Sequence, residues 1–360
     1  MSIKVLIVDD SALMRRQLAQ LLEQEGGFVL RFARNGREAV EENLAFQPDA
    51  ITLDINMPEM DGLSALSHIM LARPVGVVMV SSLTAQGALA TFEALALGAV
   101  DFVAKPGGTI SLSIDAIRDQ LLAKIRAAAQ ARVAAPALKT GGLSARLRQE
   151  RTARAAAPRP ATLARGAAEG LVLMGVSTGG PGTLESILPR LSADFPYPVV
   201  VAQHMPAAFT APFAQRMNNL CALEVCEVNA PMEVRPGHVY IARGGADTAI
   251  TLRAGKLAVL AKPESSEHLW HPSVELLGRS ALQYCEASRL IGVMLTGMGH
   301  DGADAFTCIH QQGGRTIAES ADTAVVFGMP KELIERGGAS MVLPAHDIAA
   351  QLTSWAGKEA

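Results

Sequence analysis

Two groups of side chains in this sequence are spaced for chemistry. The first comprises Asp9, Asp10, Asp54, Ser81 and Lys105, each at the end of an apolar run. Three carboxylates brought together repel one another unless a hard cation sits among them, and Mg²⁺ takes a few carboxylates together with waters and phosphate oxygens. A hydroxyl and an ammonium beside that cluster suit phosphoryl transfer to a carboxylate: metal and Lys105 neutralise the phosphoryl oxygens while one aspartate attacks in line. A single strand-end aspartate is weak evidence, because Asp often caps the helix that follows. Five such positions in order carry more.

The second group centres on Ser177. Gly175-Val176-Ser177-Thr178-Gly179 fits the G-x-S-x-G nucleophile elbow, a tight strand-to-helix turn that exposes the hydroxyl. A phosphate-binding turn would need Gly-Lys-Ser/Thr or G-x-G-x-x-G, and neither is present. A serine nucleophile needs a base and an acid to orient it. His204 ends the next apolar strand, and Asp301 lies in the glycine-rich turn Leu295–Gly302, where Met298 offers a backbone N–H to an oxyanion. His300 competes as the base but sits in a loop beside the acid, so His204 is preferred. His238, His268, His271, His310 and His346 read as surface or satisfied core residues. The order Ser…His…Asp differs from the Ser…Asp…His of α/β-hydrolases, so the elbow does not imply that fold.

The elements around these residues predict two α/β units. Strands at Ile3–Val8, Val29–Phe32, Ala50–Leu53, Val75–Val80 and Asp101–Ala104 alternate with helices at Ala12–Gln24, Gly36–Ala45, Gly62–Ala72, Thr84–Leu97 and Ser113–Ala129. That alternation predicts a doubly wound, five-stranded parallel sheet, whose strand C-termini at the switch point gather Asp9, Asp10 and Asp54. The second unit opens with the strand Leu171–Val176 and a helix through Arg190, then Pro198–Gln203 and Phe209–Leu220. A β-rich insertion follows between about 223 and 261, with Val239–Ala242 and a hairpin turning at Ala254-Gly255-Lys256. Val274–Cys285, Leu290–Leu295, Ala303–Gln312, Arg315–Ala318 and Pro330–Glu335 return to helix and strand alternation.

Charge divides the chain the same way. Residues 1–126 sum to −4, residues 127–170 to +6 and residues 171–360 to −5. The middle stretch is rich in Ala, Arg, Pro and Gly and reads as a flexible linker. Its basic charge invites a nucleic-acid reading, but it has no aromatic residues for stacking, so no nucleic-acid partner is expected. No apolar run approaches the roughly 18–20 residues that span a bilayer. Met1–Asp10 goes straight into a strand ending in acids rather than a secretory signal, so a cytoplasmic protein without membrane insertion is expected. Cys221, Cys226, Cys285 and Cys308 include no CxxC pair, which argues for buried thiols over disulfides or structural zinc.

The first block resembles a two-component response-regulator receiver domain, flavodoxin-like in fold, through Val8-Asp9-Asp10-Ser11, Asp54-Ile55-Asn56-Met57-Pro58, Ser81 and Lys105-Pro106. The resemblance implies Asp54 as phosphoacceptor and Asp9, Asp10, Asp54 and the Asn56 carbonyl as Mg²⁺ ligands. Ser81 and Lys105 would sense the phosphoryl group, and Phe102 is the candidate aromatic switch residue. Gly175–Pro181, Gln203-His204-Met205-Pro206 and Thr296–Ala303 resemble the catalytic domain of the chemotaxis protein-glutamate methylesterases. That resemblance implies hydrolysis of glutamyl methyl esters, and often deamidation of glutamines, on chemoreceptor cytoplasmic helices. Ser177 would be nucleophile, His204 base, Asp301 its orienter, and Thr178 and Met298 oxyanion support, with no metal in that domain. It also implies methyl-accepting receptors as substrate and a chemotaxis-type histidine kinase as phosphodonor. The receiver would then occlude the esterase cleft until Asp54 is phosphorylated.

Arg243 stands where that family pattern has Pro, and His271 where it has Arg; both bear on receptor recognition rather than on the triad. A DNA-binding output domain would need a helix-turn-helix and a basic C-terminal block, which the −5 block does not offer. The same hydrolase serving a non-chemotactic receptor array reads identically at this level.

Overall fold

The computed structural model describes residues 2–82, 84–105, 110–131 and 169–357, with side chains undescribed at 85, 86 and 110–116. Residues 132–168, most of the expected linker, lie outside the described residues, as does Pro106. The first unit runs β1 (Ile3–Val8), α1 (Ala12–Glu25), β2 (Phe28–Ala33), α2 (Gly36–Phe46), β3 (Ala50–Asp54), α3 (Gly62–Ala72), β4 (Gly76–Ser81), α4 (Ala85–Ala96), β5 (Asp101–Ala104) and α5 (Ile110–Gln130). Its sheet is parallel in the order β2-β1-β3-β4-β5. β3 and β4 are buried on both faces, as strands covered by helices on each side must be. Ser11, Asn35, Asp61 and Thr84 cap the first four helices, each accepting a backbone N–H three residues on. α5 continues past residue 126 to Gln130, because an Ala-rich tail offers no stop signal.

The second unit runs β6 (Leu171–Val176), α6 (Gly180–Ile187), a 3₁₀ turn (Leu188–Arg190), β7 (Val199–Gln203), α7 (Ala207–Leu220), β8 (Glu224–Glu227), β9 (Met232–Glu233), β10 (His238–Ile241), β11 (Asp247–Arg253) and β12 (Lys256–Lys262). It continues with α8 (Val274–Tyr284), a second 3₁₀ turn (Ala287–Arg289), β13 (Leu290–Met294), α9 (Ala303–Gln311), β14 (Arg315–Glu319), α10 (Met329–Glu335), β15 (Met341–Leu343) and α11 (Ala345–Ala356). Seven strands form a parallel sheet in the order β15-β14-β13-β6-β7-β10-β8. The β-rich stretch therefore splits. β8 and β10 extend the main sheet, whereas the β11–β12 hairpin joins β9 in a separate antiparallel sheet. β6 lies between β13 and β7, so the chain reverses direction across the sheet at β6, where such folds open a crevice.

The two units meet along an aromatic seam. Phe92 of α4 lies 5.4 Å from Phe213 and 6.4 Å, edge-on, from Phe209 of α7. Phe102 of β5 packs 4.4 Å from Phe209, and the buried cores of the two units run together through these rings. Beside the seam, a cavity of about 430 Å³ is lined by Gly98 and Val100 on one side and Gly179, Thr183 and Val325 on the other. The first unit thus covers the start of α6, one turn beyond Ser177.

Candidate functional site

Every strand-end residue singled out from the sequence stands at a sheet's C-terminal edge. In the first sheet, β1 and β3 are neighbours and deliver Asp9, Asp10 and Asp54, whose carboxylates each offer an oxygen within 4.8 Å of the others. Asp9 and Asp54 are buried and Asp10 is exposed. Lys105 Nζ reaches Asp54 Oδ2 at 2.8 Å and Asp9 Oδ2 at 3.0 Å. Burial pushes the Asp54 carboxyl above the usual range, and the lysine offsets this only in part. Burial alone would lower the Lys105 ammonium, but the carboxylates of Asp54 and Asp9 outweigh it and hold it above its ordinary value. Asp9 Oδ2 is buried and makes no hydrogen bond beyond that ion pair, so it keeps a lone pair for a hard cation.

Asn56 donates its backbone N–H to Asp54 Oδ1 at 3.4 Å. Ser81 is buried nearby, but its hydroxyl donates to the Gly87 carbonyl at 3.2 Å, while its own carbonyl accepts the Lys105 N–H at 2.6 Å. Arg15, which sequence reasoning passed over, ties down the acidic turn by donating from Nη1 to the carbonyls of Asp9 (2.6 Å) and Asp10 (3.0 Å).

In the second sheet, β7, β6 and β13 are consecutive and place His204, Ser177 and the Asp301 turn side by side. His204 Nε2 meets Asp301 Oδ2 at 2.9 Å. The opposite ring nitrogen, Nδ1, is buried and has no hydrogen-bond partner among the described residues. A carboxylate only accepts, so in the neutral ring Nε2 is the nitrogen that carries the proton and Nδ1 the one that presents a lone pair. His300 is exposed and does not join this pair.

Asp301 is held from below. Its Oδ1 accepts Ser273 Oγ–H and Glu275 N–H, both at 3.0 Å, and its Oδ2 accepts Val274 N–H at 2.6 Å. The first turn of α8 therefore points its free N–H groups at this carboxylate, a favourable place for negative charge. Burial alone would raise the Asp301 carboxyl; the bond to His204, its charge and the two backbone N–H groups outweigh burial and hold it below its ordinary value.

The turn around Ser177 is fixed by partners that carry no motif. Gln203 Nε2 donates to the carbonyls of Ser177 (3.0 Å) and His204 (3.1 Å). Thr296 accepts the Ser177 N–H on its carbonyl at 2.9 Å and donates Oγ–H to the Thr178 carbonyl at 2.8 Å. Its own N–H goes to the fully buried Glu319, at 2.8 Å, whose carboxyl burial pushes up. Thr178 and Met298 thus sit on adjacent turns joined through Thr296. Gly179 takes φ +78 as the chain enters α6. A Cβ on Gly297 would lie 2.6 Å from Ser177 Cβ and 2.6 Å from Met329 Sδ. Gly297→Ala is accordingly expected to lower unfolding stability by about 1–3 kcal/mol through overpacking, read as a lower thermal midpoint; an unchanged midpoint would show that the two turns can move apart.

The family model for the response regulator receiver domain matches residues 5–116, and that for CheB methylesterase matches residues 172–352. A Rhodospirillum rubrum protein named protein-glutamate methylesterase/protein-glutamine glutaminase 3 is 55% identical over 98% of this chain and 96% of its own. A Rhodopseudomonas palustris protein named protein-glutamate methylesterase/protein-glutamine glutaminase 2 is 50% identical over 99% of each chain. The crystal structure of the Thermotoga maritima CheB methylesterase catalytic domain is 40% identical, with a TM-score of 0.50 over 51% of this chain and 97% of that one.

Proposed function

Because this chain belongs to the CheB methylesterase family, with a receiver domain ahead of the catalytic one, we propose that it is a phosphorylation-activated serine hydrolase. Its substrates are glutamyl methyl esters, and glutamines, on the cytoplasmic helices of methyl-accepting chemoreceptors. The observation that carries this reading is the 2.9 Å contact from His204 Nε2 to Asp301 Oδ2 beside the Ser177 elbow, with Nδ1 left unbonded.

Ser177 Oγ attacks the ester carbonyl carbon while its proton passes to His204 Nδ1, and Asp301 steadies the imidazolium that results. The oxyanion rests on the backbone N–H groups of Thr178 and Met298, and the N-terminus of α6 adds its positive end. Methanol departs with the proton returned by His204, leaving an acyl-enzyme on Ser177. Water repeats the sequence, frees the glutamate carboxylate and restores Ser177. A glutamine substrate differs only in releasing ammonia.

Asp54 accepts the phosphoryl group from a chemotaxis-type histidine kinase. Asp9, Asp10, Asp54 and the Asn56 carbonyl would hold Mg²⁺, which supplies positive charge against the phosphoryl oxygens. Lys105 ion-pairs with two of these carboxylates, and an added charge of about −1.5 to −2 at Asp54 draws it to a new partner. Ser81 turns toward the same group. Phe102, three residues before Lys105, packs at a tilt against Phe209, which links this rearrangement to the seam that keeps the receiver over α6.

The test is incubation of the full chain with methylated receptor, with and without a small-molecule phosphodonor and Mg²⁺. Methanol should appear faster with the phosphodonor, and a serine-reactive fluorophosphonate should label Ser177 and stop it. Label at another residue with methanol release still blocked would overturn the assignment, and absence of methanol from any methylated receptor would overturn the activity.

A further inference from the structure

The loop between β12 and α8 carries Leu269-Trp270-His271-Pro272-Ser273 and is built onto the domain by one buried carboxylate. Asp247, fully buried at the first position of β11, accepts the Ser265 N–H on Oδ2 at 2.8 Å. Its Oδ1 accepts the Ser273 N–H at 3.0 Å and takes His271 Nδ1 at 2.9 Å. A carboxylate with all three of these bonds in one loop fixes that loop's path, since losing them would leave a buried charge unpaired. His271, the departure noted in the sequence, thus has a structural partner of its own.

The fixed loop sets Trp270 on the site. Its indole lies parallel to the His204 imidazole, 5.7 Å between centroids and 5° between planes, and meets His300 edge-on at 5.5 Å. Gly299 leaves room for it: a Cβ there would come within 2.8 Å of the ring. The His204 side chain is only 9% exposed under this cover.

We propose that Trp270 is a positioning residue for the hydrolase reaction, its indole holding the plane of His204 and favouring the imidazolium that forms when Ser177 gives up its proton. This rests on the reading of His204 as the base. An indole face attracts a cation placed over it, more strongly where water is excluded, and a parallel offset stack also restricts how far the imidazole can rotate. The benefit arises in the transition state, as His204 takes up the Ser177 proton.

The full chain, activated by phosphodonor, is assayed on a small peptide carrying a glutamyl methyl ester. Trp270→Ala should lower kcat about ten-fold, with KM changed less than about two-fold. Trp270→Phe should recover most of the rate, and Trp270→Leu, which restores bulk without a π face, should not. With fluorophosphonate omitted, diethyl pyrocarbonate should modify His204 faster in the alanine variant. Equal recovery by Phe and Leu, or an unchanged kcat in the alanine variant, would overturn the proposal. If the alanine variant does not fold, the Phe and Leu pair decides by the same criterion. Failure of the wild-type chain to release methanol from methylated receptor as well as from the peptide would instead sink the hydrolase reading itself.

Discussion

Replacing Asp301 with asparagine is expected to lower kcat about 10,000-fold while the domain stays folded. The reason lies in the four groups facing that carboxylate, all of them placed to donate. An asparagine whose NH₂ takes the place of Oδ2 would point hydrogens at the Val274 N–H and at His204 Nε2. The imidazole would answer by moving its proton to Nδ1, the nitrogen that receives the Ser177 proton in the proposed mechanism. An asparagine turned the other way keeps the tautomer but sets NH₂ against the Glu275 N–H. In both orientations the negative charge that steadies the imidazolium is gone. Because Asp301 is held below its usual carboxyl range, its contribution to stability is present above the unfolded pKa and is lost only as pH falls through the lower folded value. The comparison therefore belongs near neutrality. Methanol release under saturating receptor measures the loss, circular dichroism checks the fold, and a variant within ten-fold of wild type would remove Asp301 from the triad.

Phe92→Ala should raise the activity of the unphosphorylated chain up to about 100-fold and leave little for phosphorylation to add. Phe92 is 1% exposed although it stands on the receiver's own helix α4, because its ring is covered by Phe209 and Phe213 of the catalytic unit. Removing a buried Phe ring costs about 3–5 kcal/mol. Part of that falls on the receiver itself, so about 3 kcal/mol of docking is a fair share, or roughly two decades in the docked-to-open ratio at 1.4 kcal/mol per decade. The readout is methanol release with and without phosphodonor. Unchanged basal activity with full stimulation would mean that α4 does not hold the receiver over α6.

The strand-end residues were legible because parallel sheets put their chemistry at one edge: reading where apolar runs stop finds Asp9, Asp54, Ser177 and His204, and the glycine-rich turn after a later run holds Asp301. What surrounds them was not. Ser273, Gln203 and Thr296 act through backbone carbonyls and carboxylates far along the chain, and no spacing rule pairs Thr296 with Glu319 or Asp301 with the start of α8. Trp270 carries no signal of its own in the sequence; Asp247, whose partners lie 18 to 26 residues away, fixes its loop beside His204. The β-rich insertion was visible as strands. Period-two patterning does not say which sheet a strand joins, so the parallel edge made by β8 and β10 was out of reach. Phe92, Phe209 and Phe213 carry no motif and Phe102 reads as the candidate switch aromatic, yet all four lie in one core shared by two units.

That shared core sets which disturbances the contact can feel. Attraction between hydrocarbon rings is not weakened by dissolved ions as charge pairing is, so swings in ionic strength should leave the receiver where it sits. Cooling is another matter, since burial of apolar surface loses strength as temperature falls. In the cold a larger open fraction of this enzyme is expected, and with it a higher basal rate of methyl-ester hydrolysis, without any change in phosphorylation.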